Sequence, residues 1–258
     1  MNSVPTRAKL LLKWLFFPGL DLHTRCRYRF LPRYFLKGNV KTLDAGCGNG
    51  ALSYAAYRDG NAVLGVTLDT EQVEKANALF TSLGTDQGRL RFEELNLYDL
   101  DKRTDRFDQI ICAETLEHIR DDRRIIASFH ALLKDGGVLH LCCPNADHPV
   151  HRLGRVDGPE DGGHVRDGYT MEGYAKLLEP AGFRIEQRVG IGSSALERLD
   201  AVIRTIRTRF GDAAAVPVFL LSYPLTLLFD QLNPACPFSL YVRAIKDGPS
   251  ASRGQAGA

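Results

Sequence analysis

Short apolar runs alternate with amphipathic helical patterns along most of the chain. The runs of strand type occupy 40–46, 61–69, 89–100, 107–114, 138–145, 183–190 and 239–246, and the helical patterns occupy 51–60, 70–84, 122–137 and 169–182. Strands separated by helices of about 10–15 residues favour parallel pairing, because each helix returns the chain across the sheet. The pattern therefore predicts an α/β fold on a parallel, doubly wound sheet, with Thr70 as the N-cap of the 70–84 helix.

Two segments interrupt this alternation. Residues 145–168 form a loop rich in glycine, histidine and aspartate, and a loop of this length in a compact domain is usually functional or mobile. Before the last strand comes an insertion with a basic amphipathic helix at 195–210 and an apolar stretch at 216–232, which Pro217 and Pro224 are expected to break. We therefore divide the chain into a basic amphipathic N-terminal cap (1–38), a core (39–194 and 238–247), a helical insertion (195–237) and a flexible tail (248–258).

Composition and charge add one asymmetry to this picture. The chain has 258 residues, of which 44% are hydrophobic and 25% charged, as in globular domains and unlike disordered chains. The net charge is +2, but residues 1–41 contain nine Lys or Arg and one acid, Asp21, so the rest of the chain is acidic overall. A basic arm of this kind favours an anionic partner such as a membrane surface, a phosphorylated substrate or nucleic acid.

The cysteines and the apolar runs indicate the compartment. The six cysteines show no C-x-x-C pair, and Cys112 and Cys142 lie inside apolar runs, as is typical of reduced thiols. No uninterrupted run of 18 apolar residues predicts a transmembrane helix, and Lys13 interrupts the N-terminal apolar run, with no cleavage site of small residues after it. We therefore expect a cytoplasmic protein, located at the inner face of the membrane if the basic arm binds lipid.

A glycine-rich turn, LDAGCGNG at 43–50, follows the first strand and precedes a helix. Glycines allow a tight turn and the close approach of a ligand, and the helix N-terminus offers unpaired N–H groups. The spacing differs from the dinucleotide pattern G-x-G-x-x-G, so the motif by itself fits either a nucleotide loop or a simple turn. Asp44 at the strand end would repel a pyrophosphate and suits a cationic amino-acid group instead.

With this motif in place, the stretch 40–246 resembles the class I S-adenosylmethionine-dependent methyltransferases. The resemblance implies a Rossmann-like, seven-stranded, mostly parallel sheet and S-adenosylmethionine as the cofactor. It further implies that the glycine turn holds the methionine portion, that Asp99 hydrogen-bonds the adenine amine, and that the residues after the fourth strand flank the sulfonium. The alternative is a degenerate Rossmann-like domain. The residues implied here are Asp44, Ala45, Gly46, Cys47, Gly48, Asp99, Ala113 and Glu114.

The end of the second strand departs from the usual pattern of this family. Thr67 stands where the family commonly has a ribose-binding acid, and Asp69 follows two residues later. The string GVTLDTEQ at 65–72 is similar to the cyclopropane-fatty-acid synthase and tocopherol-methyltransferase branches, and that similarity implies ribose contacts from Thr67, Leu68 and Gln72. Asp69 is either a rival ribose acceptor or an acid favoured at a helix N-terminus by the helix dipole.

The segment CAETLEHIRDD at 112–122 carries the main candidates for chemistry. Glu114, Glu117 and His118 follow the fourth strand, at the carboxyl edge of the sheet where ligands bind. Two carboxylates and an imidazole can hold a divalent ion. The E-x-x-E-H spacing is similar to that of ubiquinone-pathway O-methyltransferases and small-RNA terminal 2′-O-methyltransferases. That similarity implies a magnesium-type ion on Glu114, Glu117 and His118, with His164 of the later loop as the candidate fourth ligand.

The alternative for this segment needs no metal. Glu117 then orients the loop, and His118 or His164 acts as the general base that takes a proton from an acceptor hydroxyl, a role typically contributing about 10²–10⁴-fold to the rate. Under either interpretation the predicted catalytic residues are His118, His164 and Glu117. The remaining loop histidines, His148 and His151, either line the acceptor pocket or are solvated.

The N-terminal arm and the insertion suggest a role beyond catalysis. The arm mixes cations with Trp14, Phe16, Phe17, Tyr28, Phe30, Tyr34 and Phe35, and the insertion adds Arg198, Arg204, Arg207 and Arg209 beside its apolar stretch. Such segments suit a peripheral membrane contact. Equally, they can pack on each other and close the pocket. Nucleic acid is the less favoured partner, because the chain has no RNA-binding signature and no aromatic ladder for base stacking.

These observations lead to one expected function and three alternatives. We expect an S-adenosylmethionine-dependent methyltransferase that acts on an oxygen of a small or lipid-linked acceptor, either a phenol or quinone precursor or a sugar hydroxyl. The first alternative is C-methylation of a lipid or isoprenoid, because of the unusual Thr67–Gln72 segment. The others are 2′-O-methylation of RNA and a cofactor-binding module without catalysis.

Overall fold

The computed structural model of the chain describes residues 19–152, 154, 159–229 and 232–248. Its strands are β1 (Lys41–Ala45), β2 (Ala62–Thr67), β3 (Leu90–Glu94), β4 (Phe107–Ala113), β5 (Leu133–Pro144), β6 (Phe183–Ile191) and β7 (Ser239–Lys246). Its α-helices are α1 (Leu22–Phe30), α2 (Ala51–Arg58), α3 (Thr70–Ser82), α4 (Asp122–Leu132), α5 (Met171–Leu178), α6 (Ser194–Phe210) and α7 (Asp212–Phe229). Short 3₁₀ helices occupy Leu31–Tyr34, Leu97–Lys102, Leu116–His118 and Glu179–Ala181.

The strands form one seven-stranded sheet in the order β3-β2-β1-β4-β5-β7-β6. Strands β1 to β5 pair in parallel, and β7 runs antiparallel to both β5 and β6. The predicted seven-stranded, mostly parallel, Rossmann-like sheet is therefore confirmed. The chain winds outward in opposite directions from β1 and β4, and an open α/β sheet binds its ligands beyond the carboxyl ends of its strands at such a reversal.

Hydrophobic clusters cover both faces of the sheet. One cluster includes Phe129 of α4 and Tyr174 of α5, and the other includes Phe80 of α3, Phe30 of α1 and Phe219 of α7. All five side chains are buried. Helices α1 and α7, from the cap and the insertion, thus share a core with a helix of the central domain.

The largest differences from the predicted element boundaries occur at two places. The helix predicted to residue 137 ends at Leu132, and β5 already begins at Leu133. The strand predicted over 89–100 ends as β3 at residue 94, and a 3₁₀ helix follows. That helix begins because the Asn96 side chain accepts a hydrogen bond from the Tyr98 N–H at 3.0 Å and turns the chain. The turn brings residues 95–98 to the carboxyl edge of the sheet.

The insertion before β7 consists of α6 and α7. The prediction that Pro217 and Pro224 break the apolar stretch is wrong, because α7 continues through both. Each proline lacks the N–H that would bond to the carbonyl four residues earlier, which belongs to Ala213 or Leu220. Both prolines and both of these residues are exposed, so the missing hydrogen bonds lie on the solvent side of the helix. Among the described residues, no helix combines the length and the hydropathy of a membrane span.

The described part of the cap packs into the domain through α1. Leu22, Cys26 and Phe30 are buried, and the Leu22 N–H donates to the Asp200 carboxylate of α6 at 2.8 Å. The sequence left two arrangements open for the cap. Within residues 19–38, α1 adopts the one in which it packs on the insertion and closes the pocket. Trp14, Phe16 and Phe17, and the tail from residue 249, lie outside the described residues.

Candidate cofactor and acceptor site

Two cavities open at the carboxyl edge of the sheet and meet at Gly46. The first, of about 260 Å³, lies between α1 and the glycine-rich turn; it is lined by Thr24, Arg27, Tyr28, Asp44, Gly46, Cys47, Gly48, Asn49, Ala51, Leu52, Ala113 and Glu114. The second, of about 350 Å³, is lined by Gly46, Thr67, Leu68, Leu95, Asn96, Leu97, Tyr98, Thr115, His118, Ile119, Glu160 and Gly162. Together they form a two-part site whose parts differ in polarity, because charged side chains line the first and mainly apolar side chains the second.

Gly46 divides the two cavities and requires its lack of a side chain. Its φ of +79° lies in the left-handed region, and a Cβ there would overlap the Thr115 side chain. The N–H groups of Gly46 and Cys47 both donate to the Val66 carbonyl at 2.9 Å, which ties the turn to the end of β2. Ala45 is fully buried behind the turn, at the end of β1. The predicted glycine turn therefore lies between both cavities.

Asp44 lies at the end of β1 in the floor of the first cavity. Its side chain is 2% exposed and accepts a hydrogen bond from the Ser53 hydroxyl at 2.6 Å. Burial raises the pKa of Asp44 to about 6, although the hydrogen bonds from Ser53 oppose this rise. A cationic ligand group placed beside the carboxylate would compensate for the burial of its charge.

Arg27 of α1 contributes the positive charge of the first cavity. Its guanidinium lies 3.3 Å from the Glu114 carboxylate, and Ser239 lies 3.5 Å from Arg27 and 3.4 Å from Glu114. Glu114 has a φ of +53°, a strained conformation for a residue with a side chain and one found often at functional sites. Burial raises the pKa of Glu114 and Arg27 opposes that rise.

Sequence reasoning missed Arg27 as a site residue, because it counted this arginine among the cations of a basic arm. A signal was present in the sequence. Thr24, Arg27 and Tyr28 are spaced three and four residues apart, so that they share one face of α1, and all three line the first cavity.

The second cavity contains Thr67 and Leu68, as the ribose prediction requires, but it does not contain Asp69. The Asp69 side chain accepts from the Gln72 N–H at 3.1 Å and is the N-cap of α3, so the assignment of Thr70 as N-cap is wrong. Asp69 also accepts from the Gln72 side-chain amide at 2.8 Å, and the Gln72 oxygen faces Gly48. The helix-terminus interpretation of Asp69 therefore holds, and Gln72 lies beside the glycine turn.

The structure does not place Asp99 in the adenine position expected of it. Asp99 lies on the 3₁₀ helix outside the second cavity and pairs with Lys102 at 2.7 Å. The cavity wall is formed instead by Asn96, Leu97 and Tyr98, because β3 ends early and the chain turns at Asn96. The apolar and aromatic groups of this wall suit a flat heterocycle.

Glu117, His118 and His164 come together at the edge of the second cavity. One potential ligand atom from each lies within 4.8 Å of the others, and the two imidazole ring centroids are 4.6 Å apart. Glu114, which the sequence prediction included in this set, is not part of the cluster, because its carboxylate turns toward Arg27. The prediction that His164 joins Glu117 and His118 agrees with the geometry.

Hydrogen bonds from the 145–168 loop orient this cluster. Nδ1 of His118 lies 3.0 Å from the Gly163 carbonyl; since a carbonyl can only accept, Nδ1 carries the proton and leaves Nε2 with a free lone pair. The Val165 N–H donates to the Glu117 carbonyl at 2.8 Å. Arg166 binds the Asp122 carboxylate and the Arg120 carbonyl, which fixes the loop segment next to His164.

Glu117 is a buried acid without conventional partners. Its side chain is 0% exposed, and among the described residues no donor makes a hydrogen bond of ordinary geometry to either carboxylate oxygen, although its own N–H and the Cys143 thiol lie near enough to oppose the rise of its pKa. Burial, together with the neighbouring Glu114 carboxylate, raises the pKa of Glu117 to about 8. Such an unsatisfied acid is costly in a core and is characteristic of functional sites.

Neither His148 nor His151 lines a cavity, and the two differ in exposure, because His148 is buried and His151 is partly exposed to solvent. Both rings pack against Phe238, with centroids 5.4 Å and 4.4 Å away, and His23 of α1 stacks on the same ring at 3.5 Å. His148 is 5% exposed, so it is not solvated. They join the loop to the start of β7.

Comparisons with known proteins agree with this geometry. A sequence family described as a methyltransferase domain matches residues 21–188. Proteins named ubiquinone biosynthesis O-methyltransferase are similar: that of Haemophilus ducreyi is 38% identical over 115 residues (44% of this chain, 49% of that protein), and that of Coxiella burnetii is 32% identical over 162 residues (63% and 67%). The chain spans about half the length of the curated relatives it matches first.

Solved structures share the fold at low sequence identity. An S-adenosylmethionine-dependent methyltransferase from Mesorhizobium loti superposes with a TM-score of 0.57 at 22% identity, covering 87% of this chain and 99% of that one. The YcgJ protein from Bacillus subtilis superposes with a TM-score of 0.57 at 19% identity, covering 86% and 98%. These likenesses support the fold alone.

Proposed function

The chain belongs to the methyltransferase domain family, and on that premise we propose that it transfers a methyl group from S-adenosylmethionine to a phenolic hydroxyl of a quinone precursor. The observation that carries the proposal is the position of His118. This residue lines the second cavity beside Thr115 and Gly46, where the two cavities meet, and Glu117 and His164 adjoin it. The names of the curated relatives support the class of acceptor.

The charges of the first cavity match an amino-acid zwitterion. Asp44 and Glu114 are acids and Arg27 is a base, so the α-ammonium of the cofactor's methionine portion can pair with Asp44 and its carboxylate with Arg27. The ribose and adenine then extend past Gly46 toward Thr67, Leu97 and Tyr98 in the second cavity. This orientation places the sulfonium close to Gly46.

Methyl transfer requires an acceptor oxygen in line with the sulfonium methyl group. The oxygen attacks the methyl carbon as the C–S bond breaks, which leaves S-adenosylhomocysteine, and the phenolic proton goes to Nε2 of His118. Glu117 lies 4.0 Å from this Nε2, and the positive charge of the imidazolium would favour the ionised form of its carboxyl group. Holding both reactants in this geometry contributes as much as proton transfer, since well-oriented groups reach effective molarities of about 10⁵ M or more.

The same cluster also fits a divalent cation. Glu117 offers two oxygens that accept no hydrogen bond of ordinary geometry from the described residues, and His118 and His164 offer imidazole nitrogens within 4.8 Å. These three residues would hold the ion, and a bound ion would lower the pKa of the acceptor hydroxyl. This second candidate makes His118 a ligand instead of the base.

A labelling experiment tests the proposed function. The chain is incubated with methyl-labelled S-adenosylmethionine and a catechol-type phenol, and the product is analysed by mass spectrometry and NMR. We expect a methyl ether, with turnover lost in His118→Ala while binding of S-adenosylhomocysteine is retained. A carbon-bound methyl group supports the C-methylation alternative, label in RNA supports the RNA alternative, and cofactor binding without any transfer supports a non-catalytic module. Each of these results contradicts the proposal.

A further inference from the structure

The outward face of α7 is apolar from end to end. Leu221 and Leu228 are 76% and 77% exposed, and the same face continues through Ala213, Pro217, Leu220, Pro224, Leu225 and Leu227, all of them exposed. No charged residue follows Asp212 within the helix. Isolated exposed leucines are ordinary, but a continuous leucine and proline face on one helix marks an interaction surface.

The inward face of α7 is the more polar one. Ala215, Phe219, Ser222 and Thr226 are buried at helical spacing and face the rest of the domain. A surface helix in water normally has the opposite arrangement, with its apolar stripe toward the core. The sequence of α7 is thus suited to an environment outside the domain that is less polar than water.

The hairpin that presents this face is fixed to α1. The Arg25 guanidinium lies 4.5 Å from the Phe219 ring centroid and 4.8 Å from that of Tyr223. The Leu22 N–H donates to Asp200 of α6 at 2.8 Å. The leucine face is therefore held in place by the same helix that carries Arg27 into the first cavity.

The helix that precedes α7 contributes exposed basic residues. Arg198 and Arg209 of α6 are exposed, and neither has an ion pair with a described residue, whereas Arg207 pairs with Asp212 at 2.7 Å. Phe210, 65% exposed, lies at the end of α6 beside them.

We propose that α7 lies in the plane of an anionic lipid bilayer, with its leucine face toward the acyl chains and the arginines of α6 toward the headgroup phosphates. An 18-residue helix is about 27 Å long, which suits a helix lying along the interface. Arg198 and Arg209 complement the negative surface charge, which attracts nearby basic residues. The cavity behind α1 then lies near the bilayer, where a lipid-linked acceptor would be located; this last point alone rests on the proposed function.

Vesicle co-sedimentation of the full chain tests this inference without requiring methyl transfer. The vesicles contain phosphatidylcholine alone or phosphatidylcholine and phosphatidylglycerol at about 7:3. We expect binding to the anionic vesicles that weakens at high salt. Leu221→Ser/Leu228→Ser and Arg198→Gln/Arg209→Gln should each lower the partition coefficient about tenfold or more. Leu221→Met/Leu228→Met and the matched charge control Arg106→Gln/Arg123→Gln should bind as the parent does.

Two results would overturn the inference. Vesicle binding that is absent, or that the leucine and arginine variants leave unchanged, removes the lipid surface as the occupant. The second result would come from sedimentation equilibrium in the absence of lipid. A dimer that Leu221→Ser/Leu228→Ser converts to a monomer would assign the leucine face to a second copy of the chain. Thermal unfolding and binding of S-adenosylhomocysteine show in each variant that the fold is intact.

Discussion

The guanidinium of Arg27 and the carboxylate of Glu114 lie 3.3 Å apart and join α1 to the end of β4 in the wall of the first cavity. Arg27 comes from the cap, and Glu114 follows the fourth strand, where its φ of +53° turns the chain. Cap and core therefore build the first cavity together. The two carboxylates of the E-x-x-E-H segment therefore have different neighbours. Glu114 contacts Arg27, and Glu117 lies beside the histidines.

Arg27→Gln is expected to weaken the binding of S-adenosylhomocysteine by about 10–100-fold. A charge-assisted hydrogen bond to the ligand carboxylate contributes about 1.5–3 kcal/mol, and glutamine cannot supply the charge. Arg27→Lys, which keeps the charge, should retain more of the affinity. Isothermal titration calorimetry measures both.

A double variant separates this binding role from a structural one. Arg27→Gln leaves the Glu114 carboxylate buried without its partner, so it should also destabilise the fold. Arg27→Gln/Glu114→Gln should recover the stability but not the affinity. If affinity returns together with stability, Arg27 holds α1 in place and does not contact the cofactor.

Asp44→Asn is expected to stabilise the cofactor-free protein at high pH. The folded-state pKa of Asp44 is about 6 and the ordinary value is 3.8, so the parent folds most favourably with this group protonated and loses stability as the pH rises through about 6. The shift corresponds to about 2–3 kcal/mol, at about 1.4 kcal/mol for each pH unit. The variant should gain that amount at pH 8 and nothing near pH 3.5.

Urea unfolding at several pH values measures the difference in unfolding free energy between Asp44→Asn and the parent. Calorimetry measures the effect of the substitution on cofactor affinity. Asp44→Asn should lose most of its affinity for S-adenosylhomocysteine, because the ligand ammonium no longer has a carboxylate partner. A stability difference that does not change with pH contradicts the argument from burial, whatever the effect on binding.

Gly46→Ala is expected to abolish cofactor binding, and Gly84→Ala is its matched control. Both glycines have a left-handed φ, +79° and +74°, so both substitutions carry the same backbone cost, roughly 1 kcal/mol. A Cβ at residue 46 would overlap the Thr115 side chain, whereas a Cβ at residue 84 meets nothing within 4 Å. Equal losses of affinity in the two variants would show that the glycine turn does not shape the site.

The sequence predicted the sheet well because its strands and the glycine turn depend on local pattern. Each strand run is bounded by turn residues, and the helical patterns between strands favour parallel pairing, whereas the seven-stranded, mostly parallel sheet was implied by the family resemblance. The early end of β3 escaped prediction, because an Asn96 side-chain hydrogen bond to the backbone ended a run that is apolar enough to continue. Because of this one hydrogen bond, Asn96, Leu97 and Tyr98 line the second cavity and Asp99 does not.

The site was predicted less completely because parts of it come from distant segments. His118 and His164 are 46 residues apart, and their proximity followed from a family resemblance and not from local pattern. Arg27 was missed because it was counted among the cations of the basic arm, and its partner Glu114 lies in a distant part of the sequence. The continuity of α7 was missed because the low helix propensity of proline takes no account of burial. Pro217 and Pro224 both lie on the exposed side of the helix.

Chelation distinguishes the two accounts of the Glu117, His118 and His164 cluster. If the cluster holds a divalent ion, dialysis against EDTA should lower turnover by at least tenfold, and added Mg²⁺ or Mn²⁺ should restore it. His164→Ala should then raise the ion concentration needed for half-maximal turnover. Turnover that survives both EDTA and Glu117→Gln contradicts the ion site and favours His118 as the base.

Calorimetric titration of the chain with S-adenosylmethionine and with S-adenosylhomocysteine tests the central claim most directly. The account predicts saturable heats at one ligand per chain for both compounds, with Arg27→Gln and Gly46→Ala weakening both. A flat trace for the two compounds, from a chain whose cooperative thermal unfolding shows that it is folded, would contradict the assignment of the two cavities to this cofactor.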